Sequence, residues 1–169
     1  MGIQKDLLFL VKVALEAIDM EYEGLRMCEL GNQYMRFGRY KTAKQYFESL
    51  GVDHTSIDMN GRDGALKYDL SKPISDFEEY FDIVTNFGTS EHVENQERCF
   101  DNIDRMCRVG GAMIHAVPLK GAYKHHSKVH YTKGSLLKLA KEKNYKTVVR
   151  KTVKRSYNKA LVCAVLVKQ

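Results

Sequence analysis

Three acids stand at the ends of short apolar runs: Glu29 in "MCELGNQYM", Asp58 in "TSIDMN" and Asp69 in "LKYDL". Carboxylates in such places accept hydrogen bonds from the hydroxyl or amino groups of a ligand. Gly31, two residues past Glu29, allows the backbone to come close to that ligand. A second group, "NFGTSEHV", carries Asn86, Glu91 and His92. An imidazole with its ordinary pKa of about 6.5 takes up a proton at neutral pH. The plainer reading of this group is structural, with Ser90 and Glu91 capping the next helix and His92 packed on its first turn. In "GNQYMRFG", Asn32 and Gln33 occupy positions where a pyrophosphate-binding loop needs glycines, and no "GKS" or "GKT" exists. Dinucleotide binding and nucleoside triphosphate hydrolysis are therefore disfavoured.

The elements that must position these residues follow from periodicity. Leu7, Leu8, Val11, Ala14, Leu15 and Ile18 recur at helical spacing, which predicts an amphipathic helix from Gln4 to about Met20. Leu25 to Leu30 reads as a strand, and Phe37, Tyr40, Ala43, Phe47 and Leu50 as a second helix ending near Gly51. Strands are predicted at 55–58 and 65–70, each ending in an aspartate, and from Tyr80 through "YFDIVTNF". A helix over "HVENQERCFDNIDRMCRV" is expected to close at Gly110 and Gly111 before the apolar strand "GGAMIHAVP". A helix from about Gly134 to Lys143 and the pair "TVVRKTV" and "ALVCAVLVKQ" complete the chain, the pair as a hairpin adding an antiparallel edge strand. Seven strands alternating with helices imply an α/β fold, a mostly parallel sheet covered on both faces. In such sheets ligands bind beyond the carboxyl ends of the strands. Acids at three of those ends beside one glycine turn fit an adenosine-containing ligand that lacks a pyrophosphate.

At 169 residues the chain has the length of one ordinary domain, 1-169. Cys28, Cys99, Cys107 and Cys163 have no short paired spacing and follow no secretory-type leader, so they read as reduced core thiols in a cytoplasmic protein. No apolar run is long enough to span a membrane. The net charge of +6 is segregated: residues 120–169 hold fourteen Lys or Arg against Glu142 alone, and residues 1–119 hold thirteen against twenty acids. Lys146, Arg150, Lys151, Lys154, Arg155 and Lys159, interleaved with Tyr145 and Tyr157, could track a polyanion along residues 141-159, although a solvated strand pair would look much the same. His125, His126 and His130 lack a Cys or Asp partner nearby, so no metal site is expected; they fit better as loop residues near a substrate mouth with Tyr123 and Tyr131. His115, inside an apolar strand, reads as a core residue.

"MCELGNQ", "TSIDMN", "LKYDL", "FDIVTNFGTSEHVENQ" and "CRVGGAMIHAVP", in this order, resemble the motifs of class I S-adenosylmethionine-dependent methyltransferases over roughly residues 25 to 118. The resemblance implies a Rossmann-like three-layer sandwich whose seven-stranded sheet has one antiparallel strand in the C-terminal hairpin. It implies S-adenosyl-L-methionine as cofactor, with Glu29 and Gly31 along the methionine moiety, Asp58 on the ribose hydroxyls, and Asp69 and Leu70 around the adenine. Asn32, Gln33 and Met59 join that cofactor set, and Asn86 would stand beside the sulfonium. Asn32 and Gln33 are also where the chain departs from the family's smaller pattern. Asn86, Glu91 and His92 are the catalytic candidates, and the acceptor is a small, anionic molecule or a nucleic acid. Two alternatives remain at this level: an inert module that only binds the cofactor or a nucleic acid, and an enzyme that cleaves the cofactor.

Overall fold

The computed structural model describes residues 2–123, 128–156 and 159–169. In chain order the strands are β1 (Gly2–Ile3), β2 (Arg26–Leu30), β3 (Tyr34–Met35), β4 (Asp53–Asp58), β5 (Leu66–Lys67), β6 (Phe81–Phe87), β7 (Cys107–Pro118), β8 (Tyr145–Ser156) and β9 (Lys159–Lys168). The α-helices are α1 (Leu8–Ile18), α2 (Ala43–Glu48), α3 (Gln96–Met106) and α4 (Ser135–Glu142). Seven strands form one sheet in the order β5-β4-β2-β6-β7-β9-β8, and β1 pairs with β3 in a small parallel sheet. All pairings from β5 across to β7 are parallel, and β9 runs antiparallel to both β7 and β8.

Alternation along the strands builds two cores. Met27, Ile83, Phe87, Ala112 and Ile114 point to the face covered by α1 and α2; Cys28, Val84, Met113 and Val117 point to the face covered by α3 and α4. Helix α1 contributes Leu10, Val11, Ala14 and Leu15, and α3 contributes Cys99, Ile103 and Met106. The result is the three-layer α/β sandwich expected from the alternation of elements. The four cysteines are buried and free.

Four boundaries differ from expectation. The second helix is confined to Ala43–Glu48, because Gly38 adopts φ +70 and Thr42 starts the helix with a reciprocal capping box to Gln45. Phe37 and Tyr40 still pack on the same core from an irregular segment, against Tyr46. Gly110 and Gly111 do not end α3 but lie inside β7, at a register shift against β6. A Cβ on Gly111 would sit 2.9 Å from Arg108 O, Asp82 O and Cys107 Sγ, so the close backbone approach demands glycine there. The strand expected at 65–70 is only Leu66–Lys67, so Asp69 follows it in a turn. In the C-terminal hairpin the antiparallel member β9 is interior, and the edge strand β8 runs parallel to the rest of the sheet.

Candidate functional site

Strand order reverses between β2 and β6, and the cleft opens there, at the carboxyl ends of β2, β4 and β6. It encloses about 810 Å³. Eight of the residues singled out from sequence line it: Gly31, Asn32, Gln33, Asp58, Met59, Asp69, Leu70 and His92.

The turn after β2 is held from several directions. Gly31 has φ +78, its N–H donates to Ile57 O at 2.7 Å, and a Cβ on it would lie 2.5 Å from Thr89 Oγ1. Thr89 Oγ1 itself donates to Leu30 O at 2.6 Å, which ties the end of β2 to the loop after β6. Asp58 closes the other side, where its carboxylate accepts the N–H of Asn32 at 3.0 Å and that of Asn60 at 2.9 Å. The Asn32 side-chain amide donates to Arg62 O and Asp63 Oδ2, drawing residues 62–63 against the turn. Asp69 accepts both the N–H and the hydroxyl of Ser71, and these bonds hold its pKa below the usual carboxylate value. Met59 projects at the rim, two-thirds exposed.

Glu29, Asn86 and Glu91 are brought to the same end of the sheet but do not line the cleft. Glu29 is buried and accepts the Gln33 N–H at 3.3 Å, so it shapes the turn from beneath; burial drives its pKa well above the ordinary value. Asn86 is fully buried. Its carbonyl accepts the N–H of Ser90 at 3.1 Å, and its amide donates to Ser90 Oγ at 2.8 Å and lies 3.1 Å from His115 Nδ1. Asn86 therefore fixes the loop that carries Thr89 to His92. The network continues from Ser90 to the Tyr131 hydroxyl and on to Gln96. Glu91 is buried in the 3-10 turn Ser90–His92, with its pKa raised by desolvation to about 7. His92, the next residue, faces the cleft.

Several acceptor atoms at this end are buried without a donor among the described residues: Asn32 Oδ1, Gln33 Oε1, Glu29 Oε1 and both carboxyl oxygens of Glu91. Thr89, Tyr68, Lys72 and Asn95 also line the cleft and were not singled out from sequence. Only Asn95 left a local signal, as the N-cap of α3 whose side chain accepts the Arg98 N–H. The contact from Thr89 to Leu30 spans 59 residues, and no local pattern marks it.

His115 is a core residue, stacked edge-on to Phe100, with its pKa lowered by burial to about 4. Among the described residues no three His, Cys, Asp or Glu side chains are grouped as a metal site would need; His125 and His126 lie outside them. No helix of the described residues is long and apolar enough to cross a membrane. Part of the basic C-terminal stretch is engaged internally: Lys151 sits over the Phe9 ring, Arg155 bonds Gln4 and Asp6, and Lys159 approaches the Tyr123 ring. Tyr145 turns inward and donates to Asp104, so it offers no stacking face; Tyr157 lies outside the described residues. Lys146, Arg150 and Lys154 remain exposed on β8.

The strand order, the interior antiparallel strand and the cleft at the switch point define a Rossmann-like class I methyltransferase fold. The family described as a methyltransferase domain matches residues 17–115, more than half of the chain, and the chain belongs to that family. No curated protein matches it. Among solved structures, the 1,6-didemethyltoxoflavin-N1-methyltransferase of Burkholderia thailandensis, bound to its substrate and S-adenosylhomocysteine, is similar with a TM-score of 0.70 and 13% identity. That likeness covers 97% of this chain and 78% of that one. The N-methyltransferase NodS of Bradyrhizobium japonicum WM9, bound to S-adenosylhomocysteine, is similar with a TM-score of 0.70 and 14% identity, over 97% and 86% of the two chains. An S-adenosylmethionine-dependent methyltransferase of Mesorhizobium loti has a TM-score of 0.67 and 15% identity, over 90% and 95%. At these identities the likeness is one of fold.

Proposed function

We propose that the protein transfers a methyl group from S-adenosylmethionine to a small-molecule acceptor. The observation that carries this reading is the set of buried acceptors without donors at the turn after β2. Asn32 Oδ1 and Gln33 Oε1, both on residues that line the cleft, are what an α-ammonium group with its N–H donors would satisfy. The remaining groups suit the rest of the cofactor. Asp58 accepts the ribose hydroxyls, since each of its oxygens holds one backbone N–H and retains a further lone pair. Asp69 accepts from the adenine amino group, and Met59 and Leu70 pack on the ring. Gly31 keeps the turn close to the ligand, and Glu29 holds the turn in shape.

S-adenosylmethionine supplies a methyl group already activated on a sulfonium, so the chain's task is mainly to orient the acceptor and handle its proton. His92, on the cleft wall, is the base in this reading. Asn86 contributes by fixing the loop that presents His92. Two neighbours are named as N-methyltransferases, and the one bound to 1,6-didemethyltoxoflavin supports a small acceptor. The buried, unpaired cysteines suit the reducing cytoplasm.

Calorimetry with S-adenosylhomocysteine tests the reading directly, with a dissociation constant in the micromolar range expected. Absence of binding at millimolar ligand would remove it. Incubating the protein with S-adenosylmethionine alone should leave the cofactor intact; conversion without an acceptor would point instead to cleavage.

A further inference from the structure

The charged side chains that line the cleft are not equally engaged. Asp58 accepts two backbone N–H groups, Asp69 accepts from Ser71, and Glu94 pairs with Lys128 at 2.6 Å. Arg36 lines the same cleft, and its guanidinium has neither a carboxylate nor a hydrogen-bond acceptor among the described residues. Lys72, also on the wall, lies near enough to Asp69 to help lower its pKa but forms no ion pair among the described residues. An exposed arginine without a partner is ordinary surface in most places. This one is held in position. Its backbone N–H donates to Ile3 O at 2.9 Å, where β3 pairs with β1. Its stem lies against Gly2: a Cβ there would come 2.8 Å from Arg36 Cγ and 2.7 Å from Tyr34 O. The first strand of the chain thus clamps the stem at the rim and leaves the planar fork of N–H donors exposed on the cleft.

We propose that the methyl acceptor is an anion, a small molecule bearing a carboxylate or phosphate group, and that Arg36 is the residue that takes this group, with Lys72 adding positive charge on the cleft wall. The inference rests on the methyl-transfer reading above and narrows its acceptor. A guanidinium fork matches two oxygens of either group, and such bonds are the strong, charge-assisted kind.

The cations do not stop at the cleft. Lys154 and Lys159, both exposed, stand in the β8–β9 hairpin at the same end of the sheet. A site walled by one sign of charge draws the opposite sign from solution. S-adenosylmethionine carries an ammonium and a sulfonium against one carboxylate, so a positive wall does not favour it as a whole. An anionic acceptor gains from the same wall both in its approach and in its final place. Two sources of the anionic group compete for Arg36, the carboxylate of the cofactor and the acceptor itself, and the experiment separates them.

The first test needs no turnover. The full chain is saturated with S-adenosylhomocysteine, which puts the cofactor's carboxylate in place, and is then titrated with inorganic phosphate. The Arg36 Nε–H signal, assigned by its loss in Arg36→Gln, and the Ile3 amide signal are followed in ¹H–¹⁵N spectra. Both should shift and saturate at millimolar phosphate. Read from the Ile3 amide, Arg36→Gln should bind phosphate about ten-fold more weakly. Lys146→Gln, a matched loss of charge at the far end of β8, should bind it as the native protein does. An Arg36 signal indifferent to phosphate overturns the proposal. It is also overturned if S-adenosylhomocysteine abolishes phosphate binding while Arg36→Gln weakens S-adenosylhomocysteine and not 5′-methylthioadenosine, which lacks the amino-acid end. The second test is kinetic. Over matched pairs of acceptors, one member bearing a carboxylate or phosphate and the other its neutral ester, kcat/KM should favour the charged member by about ten-fold at low salt, and Arg36→Gln should remove most of that preference through KM. Equal turnover of the two members by the native protein overturns the anionic class. Failure of S-adenosylhomocysteine to bind would instead remove the methyl-transfer reading, with the phosphate titration of the unliganded chain still deciding whether Arg36 holds an anion.

Discussion

Asp82 and Glu91 are both buried carboxyls beside β6, one at its start and one in the turn after its end, and their surroundings differ in kind. Asp82 accepts three bonds from Arg26, through the backbone N–H at 2.9 Å, Nε at 3.1 Å and Nη2 at 3.0 Å, and a fourth from Arg108 Nε at 2.6 Å. Burial alone would raise its pKa; the arginine bonds outweigh it and hold the group below the usual range. Glu91 has no donor for either carboxyl oxygen among the described residues, and burial carries its pKa to about 7. At the amino end of β6 the charge of Asp82 is matched by Arg26 and Arg108. At the carboxyl ends the fold leaves acceptors open. Unsatisfied buried polar groups cost stability; besides these acceptors, both ring nitrogens of His54, near the start of β4, and Ser56 Oγ lack a partner among the described residues, so it is the carboxylate and amide acceptors that gather at the carboxyl ends.

The comparison breaks first at Asp82. Asp82→Ala leaves two arginines without their shared acceptor and should destabilise the protein by roughly 2–3 kcal/mol in urea unfolding. The lower part of the usual range for broken buried pairs applies because the Arg26 and Arg108 side chains keep 36% and 30% of their surface in water. Affinity for S-adenosylhomocysteine in the folded protein should stay within two-fold. Because the folded pKa of Asp82 is depressed, its contribution is present above the unfolded carboxylate pKa and is lost as pH falls through the folded one. The difference between variant and native protein should therefore shrink in acid.

Asp58→Ala should do the reverse. Calorimetry should show S-adenosylhomocysteine binding weakened 10- to 100-fold, about 1.4–2.7 kcal/mol, with little loss of stability beyond the two turn contacts from Asn32 and Asn60. Unchanged affinity would take Asp58 out of the site.

The smallest effect sharpens the contrast. The folded pKa of Glu91 is raised, so the stability linked to its protonation is complete below the unfolded carboxyl pKa and is lost as pH rises through about 7. Glu91→Gln cannot ionise, so its melting temperature relative to native protein should rise between pH 5 and pH 8. The gain should be on the order of 1 kcal/mol, less than the roughly 3 kcal/mol that the full shift would carry. A relative melting temperature that does not move with pH would show that Glu91 is solvated.

Much of the fold was legible because burial imposes local periods. The helical spacing of Leu7 to Ile18 gave α1 to within a turn, and Asp58 closes β4 where the apolar run stops. The expectation of an antiparallel edge strand missed the interior place of β9, although "ALVCAVLV", eight apolar residues without alternation, is what a strand covered on both faces requires, and β8 carries the lysines and arginines of an edge. The second helix was overextended because Phe37 and Tyr40 fit helical spacing while packing from an irregular segment.

Residue type and order alone determined the main helices and sheet strands, the acids Glu29 and Asp58 near the ends of β2 and β4, and the glycine turn after β2, because each depends on neighbours a few positions away. Tertiary structure decided which of those side chains meets the cleft. Asp58 and His92 do; Glu29, Asn86 and Glu91 lie beneath it. The physical reason is that a strand end can turn its last side chain toward water or toward the layer below, and the choice is made by partners such as Gln33, Thr89, His115 and Tyr131, which reach it from other turns and strands.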